Sequence, residues 1–176
     1  HSEKGKGSGG GAGNHIDRKE GMEHTYPHAD PERKDLNINF KVYADRQNLK
    51  ISEAINERIK EGYKGKRAIR KDSVKFVKHI MTGSHDAMVE MSKDKDKFQD
   101  WIKENMKFLE KEYGEKNIIR FNIHMDEKTP HIHAVTVPLT EDGRLSAREI
   151  FGHTTEPDDG LATNASTVQV FNRAME

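Results

Sequence analysis

The stretch 124-HMDEKTPHIH-133 puts three histidines and two carboxylates into ten residues, and its flanks decide the fold. On its N-terminal side NIIRFNIHM (117–125) alternates. Ile119, Phe121, Ile123 and Met125 fall on one face; Arg120, Asn122 and His124 fall on the other. On its C-terminal side HIHAVTVPL (131–139) sends His131, His133, Val135 and Val137 to a common face. A period of two is the pattern of a strand. The intervening MDEKTP is turn-like and closes on Pro130. An antiparallel hairpin would therefore set His124 beside His131 and His133, with Glu127 on the loop above.

Three neutral nitrogen ligands leave coordination positions open, the mark of a catalytic rather than a structural metal site. An ion there would polarise a phosphoryl oxygen or lower the pKa of a bound water. The spacing differs from the helical HExxH of zinc proteases. A single histidine on a strand is more often a surface or satisfied residue. The pair His131/His133, with a third histidine reachable across a hairpin, is harder to explain that way.

Outward from this stretch, the strongest helix spans roughly 93–113. Phe98, Trp101, Ile102, Met106, Leu109 and Tyr113 form one stripe, and Gly114 stands where a terminating glycine belongs. Trp101 reads as core. NINFKVY (37–43) and SVKFVKHIM (73–81) alternate as strands, and Ser52 reads as the N-cap of a helix carrying Ile55, Ile59 and Tyr63. The glycine-rich opening, residues 1–15, predicts neither helix nor central strand: either a loose leader or a backbone that approaches a phosphate. Residues 23–36 read as loop, and a short helix is expected near 168–175.

Composition sets outer bounds. With 176 residues the chain suits one domain, and with 32% hydrophobic against 34% charged residues its core must be thin. Lys+Arg and Asp+Glu both number 30, so only the distribution of charge informs. Between Lys60 and Lys78 eight Lys/Arg face only Glu61 and Asp72, which suits an anionic partner or, more plainly, a solvated surface. There is no cysteine, which excludes disulfides and thiolate metal sites and fits a reducing compartment. No apolar run approaches the ~20 residues of a membrane span. A start at His1 reads as a trimmed or processed piece.

Four segments in order carry a resemblance: GNHIDRKEG near the start, DLNINF, KRAIRKDSV, and HMDEKTPHIHAVTVPLTEDGRLSAREIFG. Together, over roughly residues 10–152, the chain resembles the Mob/Pre (MobV-type) plasmid mobilisation relaxases of the HUH endonuclease superfamily. The resemblance implies an α+β fold, palm- or ferredoxin-like: an antiparallel sheet of about five strands with helices mainly on one face, in a single domain spanning 1–176. It implies an enzyme that nicks and rejoins one DNA strand at an origin of transfer through a covalent 5′-phosphohistidine link. His15, in an HxxR context with Arg18, matches the nucleophile. From its own surroundings His15 would read as a mobile residue beside a glycine run. His124, His131 and His133 match the ligands of a divalent metal, Mn²⁺ first, with Mg²⁺, Zn²⁺, Co²⁺ or Ni²⁺ also suited.

On that reading Glu127 orients His15 or handles its ring proton, and Arg67 or Arg70 grips the phosphate. Asn14, Arg18, Asn37, Arg70, Lys71 and Arg120 supply DNA contacts, with the polar sheet face (Asn37, Asn39, Arg120, Asn122 and the histidines) turned to the DNA. Expected partners are single-stranded or hairpin origin DNA and other relaxosome or coupling proteins, without membrane contact, in the bacterial cytoplasm. Two departures accompany the resemblance: the first strand is missing or shortened, and the tail 153–176 matches poorly. Rival readings are a rolling-circle replication initiator using Tyr26 or Tyr113, and a non-catalytic DNA-binding module with a structural metal. A generic metallohydrolase is a weaker third.

Overall fold

The computed structural model describes residues 1–39 and 49–151, and the statements below concern these. Five strands form one antiparallel sheet in the order β1-β3-β5-β4-β2: β1 Ser2–Gly5, β2 Ile38–Asn39, β3 Phe76–Met81, β4 Ile118–His124 and β5 His131–Thr136. The histidine-rich hairpin β4–β5 supplies two of the three central strands. Its register sets His124 opposite His131 and Asn122 opposite His133. The class expected from the sequence, an α+β domain on a five-stranded antiparallel sheet, is the one observed.

One face of the sheet is closed by α3 (His85–Lys93) and α4 (Lys95–Tyr113). The α4 stripe of Phe98, Trp101, Ile102, Leu109 and Tyr113 is buried against Ile118, Phe121, Ile123, Ile132 and Ala134, joined by Met81, Met88 and Met91. Apolar side chains at helical spacing on α4 meet apolar side chains at strand spacing on β4 and β5, and each hides what the other cannot. Asp94 starts α4 by accepting from the Lys97 N–H at 3.2 Å, and Gly114 ends it at φ 82°, a backbone angle costly for other residues. α3 was not anticipated, although Ser84 caps it and Met88 and Met91 share its buried side.

The opposite face is not bare. A second cluster joins Ile16, Ile51, Ala54, Ile55 and Ile59 to Phe76, Ile119, Val135, Val137 and Leu139. It is built by α1 (Gly10–Ile16) and α2 (Ile51–Gly62), so helices cover part of the face that carries the histidines. Three expectations need correction here. The glycine-rich opening does form a helix, α1, entered through Gly9 in the left-handed region at φ 80°. Glycine is a poor helix former, so this element is held by docking rather than propensity. Gly13 packs over Ile51, where α1 meets α2.

Second, α2 starts at Ile51 with Lys50 as its cap and Glu53 accepting from the Lys50 N–H at 3.1 Å; Ser52 lies inside the first turn. Third, Ile119 does not share a face with Phe121 and Ile123. A register shift between Ile118 and Arg120 turns Ile118 toward α4 and Ile119 toward α2. The first strand exists as the four-residue edge strand β1. The expected strand 37–43 is described only over Ile38–Asn39, and the helix near 168–175 lies outside the described residues. α5 (Ala147–Phe151) follows a tight turn at Gly143.

Phe121, 1% exposed at the centre of the α4-facing core, gives a direct test. Phe121→Ala is expected to cost about 3–5 kcal/mol of folding stability, read from urea unfolding.

Candidate metal and nucleophile centre

The polar residues of β4 do not face solvent. They hold the C-terminal end of α1. The Ile16 carbonyl accepts from His124 Nε2 at 2.9 Å and from Asn122 Nδ2 at 3.1 Å. Arg120 Nε reaches Asp17 Oδ1 at 3.0 Å, and its Nη2 donates to the Leu49 carbonyl. Arg120, Asn122 and His124 are all buried. This stripe was expected to face DNA; instead it anchors the segment bearing His15.

With α1 anchored, four imidazoles converge. Ring centroids lie 4.8 Å apart for His124–His133 and His131–His133, 5.2 Å for His124–His131, 5.1 Å for His15–His133 and 6.0 Å for His15–His124. Backbone carbonyls fix three tautomers, because a carbonyl can only accept and the facing ring nitrogen must carry the proton. His124 donates from Nε2 to Ile16, His131 from Nδ1 to Thr129 at 2.9 Å, and His15 from Nδ1 to Thr25 at 2.8 Å. In their neutral forms each then keeps a lone pair on the other nitrogen. His124 Nδ1 is fully buried with no hydrogen-bond partner. A buried acceptor left unpaired is costly, and a cation is what would satisfy it.

Two of the rings, His124 and His133, are held uncharged. Burial, followed by the nearby Arg18 charge, lowers the His124 imidazole to about 4. Burial and then the neighbouring His124 and His131 lower His133 to about 2. Neutral imidazole is the form that binds a metal.

Carboxylates close the other side. Arg18, buried and in the left-handed region at φ 48°, grips Asp126 through Nε at 2.9 Å and Nη2 at 2.8 Å. The same Nη2 lies 2.5 Å from Glu127 Oε1, and Nη1 returns to the His15 carbonyl at 3.0 Å. Burial alone would push both acids up. The hydrogen bonds from Arg18, with Asn37 adding one to Asp126, bring both below the ordinary carboxylate range. Glu127 Oε1 sits 3.9 Å from both His15 Nε2 and His131 Nε2, midway between candidate nucleophile and candidate ligand.

The remaining expected residues divide. Asn37 is half-buried and binds the turn, its Oδ1 accepting from the Met125 and Asp126 N–H groups at 2.6 and 3.1 Å. Asn14 is half-buried one residue before His15. Arg67, Arg70 and Lys71 are exposed on the non-helical segment between α2 and β3. That segment enters β3 at Phe76, beside the Thr136 end of β5, whereas the histidines lie at its His131 end. Five residues of strand, roughly 17 Å, separate the two ends. The guanidinium that touches the cluster is Arg18's, and Arg67 is not brought to it. Asp126 and Thr25 were not singled out as functional. The HxxR spacing and the DE pair were the available signals for Arg18 and Asp126; nothing in sequence marks a carbonyl such as Thr25's.

The two tyrosines considered as nucleophiles are engaged elsewhere. The Tyr26 hydroxyl donates to the Lys19 carbonyl at 2.8 Å while its ring lies under Arg18. Tyr113 packs on the α4 side of the sheet against His79 at 4.8 Å, where burial pushes its phenol up.

A pinned helix end, a four-imidazole cluster and an arginine-clamped carboxylate pair on a five-stranded antiparallel sheet define an α+β domain with a candidate metal centre. The chain belongs to the plasmid recombination enzyme family (Mob_Pre), whose model matches residues 2–160. It is 38% identical over 141 residues to plasmid recombination enzyme type 3 of Staphylococcus aureus, covering 79% of this chain and 32% of the relative. Type 1 from the same species is 42% identical over 107 residues, covering 61% of this chain and 26% of the relative. The chain thus spans about a third or less of these two curated relatives. Among solved structures, the Mn-bound MobM relaxase domain with plasmid pMV158 oriT DNA superposes with a TM-score of 0.75 at 29% identity, covering 87% of this chain and 76% of that one. No helix among the described residues is long and apolar enough to cross a membrane.

The buried neutral histidines give a pH signature. An unfolded imidazole titrates near pH 6.5, whereas His79, His124 and His133 are lowered, to about 3, 4 and 2. Lowered folded pKa values mean that the folded chain binds fewer protons than the unfolded one. Their contribution is full above the unfolded pKa and is lost as pH falls through the folded values. The urea midpoint of chelator-stripped protein should fall steadily from pH 7 toward pH 4, and His79→Gln should flatten that slope.

Proposed function

We propose that this domain is a relaxase: a metal-dependent enzyme that nicks and rejoins one DNA strand at an origin of transfer, with His15 as nucleophile. One observation carries the reading. The Thr25 carbonyl holds the Nδ1–H of His15, so the neutral ring presents its Nε2 lone pair beside Glu127 and the histidine cluster. Relatives are named plasmid recombination enzymes, and the MobM domain is described with Mn and oriT DNA, which supports the same reading.

His15 Nε2 forms a bond to phosphorus as the bond from phosphorus to the 3′ oxygen breaks. The leaving oxygen departs with its electron pair and takes a proton from water. The 5′ phosphate stays on the imidazole. A neutral imidazole needs no prior loss of a proton, unlike a tyrosine hydroxyl. The positive charge that develops on the ring is shared through Nδ1–H with the Thr25 carbonyl. Glu127, kept ionised by Arg18 and 3.9 Å from His15 Nε2, helps orient the ring. Arg18 also joins the His15 carbonyl to both acids, which makes it a positioning residue.

His124 through Nδ1, His131 through Nε2 and His133 would hold the divalent ion, and the unpartnered His124 Nδ1 fits that role. An ion held there would supply Lewis-acid stabilisation of the charge on the scissile phosphate. Mn²⁺ is the leading choice, with Mg²⁺, Zn²⁺, Co²⁺ and Ni²⁺ as alternatives. Asn14 would touch DNA next to the cleaved bond. Arg67, Arg70 and Lys71, exposed at the far end of the sheet, would track phosphates away from it. The substrate is single-stranded or hairpin origin DNA, met in the bacterial cytoplasm with other relaxosome or coupling proteins.

His15→Ala should abolish the covalent adduct formed from an origin oligonucleotide with Mn²⁺, and peptide mass spectrometry of the wild-type adduct should find the nucleotide on His15. A full-yield adduct in the variant, or a nucleotide on a tyrosine, would overturn the assignment. Arg18→Lys keeps the charge but loses the two-pronged grip on Asp126, and a drop in nicking of about 100-fold with little change in DNA binding is expected.

A further inference from the structure

The cluster contains more ligand atoms than three histidines account for. His15, His124 and His133 bring one ligand atom each within 4.8 Å of one another; separately, so do His124, Glu127 and His131. His124 belongs to both groups. We propose that His15 is also a metal ligand: in the DNA-free protein a late transition-metal ion such as Zn²⁺ is held by His15, His124 and His133, which masks the nucleophile.

Three observations support this second position. The His15 and His124 lone pairs are presented by the carbonyls of Thr25 and Ile16, which fix Nε2 of one and Nδ1 of the other as the donor atoms. His124 Nδ1 is buried and unpartnered. A cavity of about 340 Å³ is lined by His15 and His133, and not by His124, Glu127 or His131, so these two rings have an approach of their own. Gly11, Ala12 and Ile16 line it without charge, and its charged wall is the Glu3–Lys78 pair, 2.8 Å apart, with His1.

The ions would divide by chemistry. Zn²⁺ favours four tetrahedral ligands and binds imidazole strongly, whereas Mn²⁺ stands low in the affinity order and is content with oxygen donors and water. An all-imidazole set that includes His15 therefore suits Zn²⁺, and a set completed by phosphate or water oxygens suits Mn²⁺. With its Nε2 lone pair on the metal, His15 cannot attack phosphorus, so Zn²⁺ and DNA compete. That inhibitory consequence rests on His15 being the nucleophile; the coordination does not.

The test is a Zn²⁺ titration of chelator-stripped, DNA-free protein, followed by nitrogen-15 NMR of the histidine rings and by calorimetry. The His15 Nε2 resonance should shift in step with added Zn²⁺. His15→Ala should weaken Zn²⁺ binding at least about tenfold, the scale reported for groups that merely orient a metal ligand, and leave Mn²⁺ affinity unchanged. A His15 ring unmoved at saturating Zn²⁺, or His15→Ala binding Zn²⁺ as tightly as wild type, overturns the proposal. Should the variant misfold, the wild-type NMR titration decides alone. Adduct formation by His15→Ala would remove the nucleophile assignment without touching the Zn²⁺ result, so the two ideas fail separately.

Discussion

The carbonyl of Ile16 is the point on which the site turns. It is the last carbonyl of a glycine-rich helix that would not persist alone, and it accepts from His124 and Asn122 on the central strand β4. These bonds hold α1 to the sheet and set the ring proton of His124, and thus which nitrogen of the cluster is left bare. Arg120 adds the Asp17 carboxylate and the Leu49 carbonyl to the same anchorage. A shift at this junction would misplace His15 and reorient His124 together. The candidate nucleophile and a candidate ligand are therefore parts of one hydrogen-bonded unit.

Charge completes the arrangement. Burial disfavours protonation of His124 and His133. Asp126 and Glu127 face a single arginine, leaving the inner side one negative charge in excess. Uncharged nitrogen donors beside a surplus carboxylate make a setting that favours a divalent cation over protons. Arg18 is central to it, since one guanidinium ties the turn between β4 and β5 to the segment after α1. Its left-handed backbone is retained because each end is over-determined by those bonds.

Much of the architecture could be read beforehand. The hairpin, the α4 stripe and the convergence of His124, His131 and His133 follow from side-chain period and need no knowledge of distant residues. α1 could not be read this way, because glycine's intrinsic preference opposes a helix and only docking against α2 and β4 overrides it. The displaced Ile119 is a similar case: a one-residue register shift leaves the alternation intact in sequence while moving a side chain to the other face. The polar stripe of β4 was expected to meet DNA, yet its partners are the Ile16 carbonyl and the Asp17 carboxylate, over a hundred residues earlier in the chain.

The sequence by itself determined the hairpin β4–β5 and the histidines it gathers, because period and residue type are local properties and the hairpin is short. The family resemblance added His15. Only the tertiary structure decided which nitrogen His15, His124 and His131 present and which arginine meets the candidate centre. Those depend on backbone carbonyls and on burial, and neither is carried by the residue letters. Arg67 and Arg18 look alike in sequence. Packing sends one to an exposed segment at the far end of the sheet and locks the other between two carboxylates beside the candidate nucleophile.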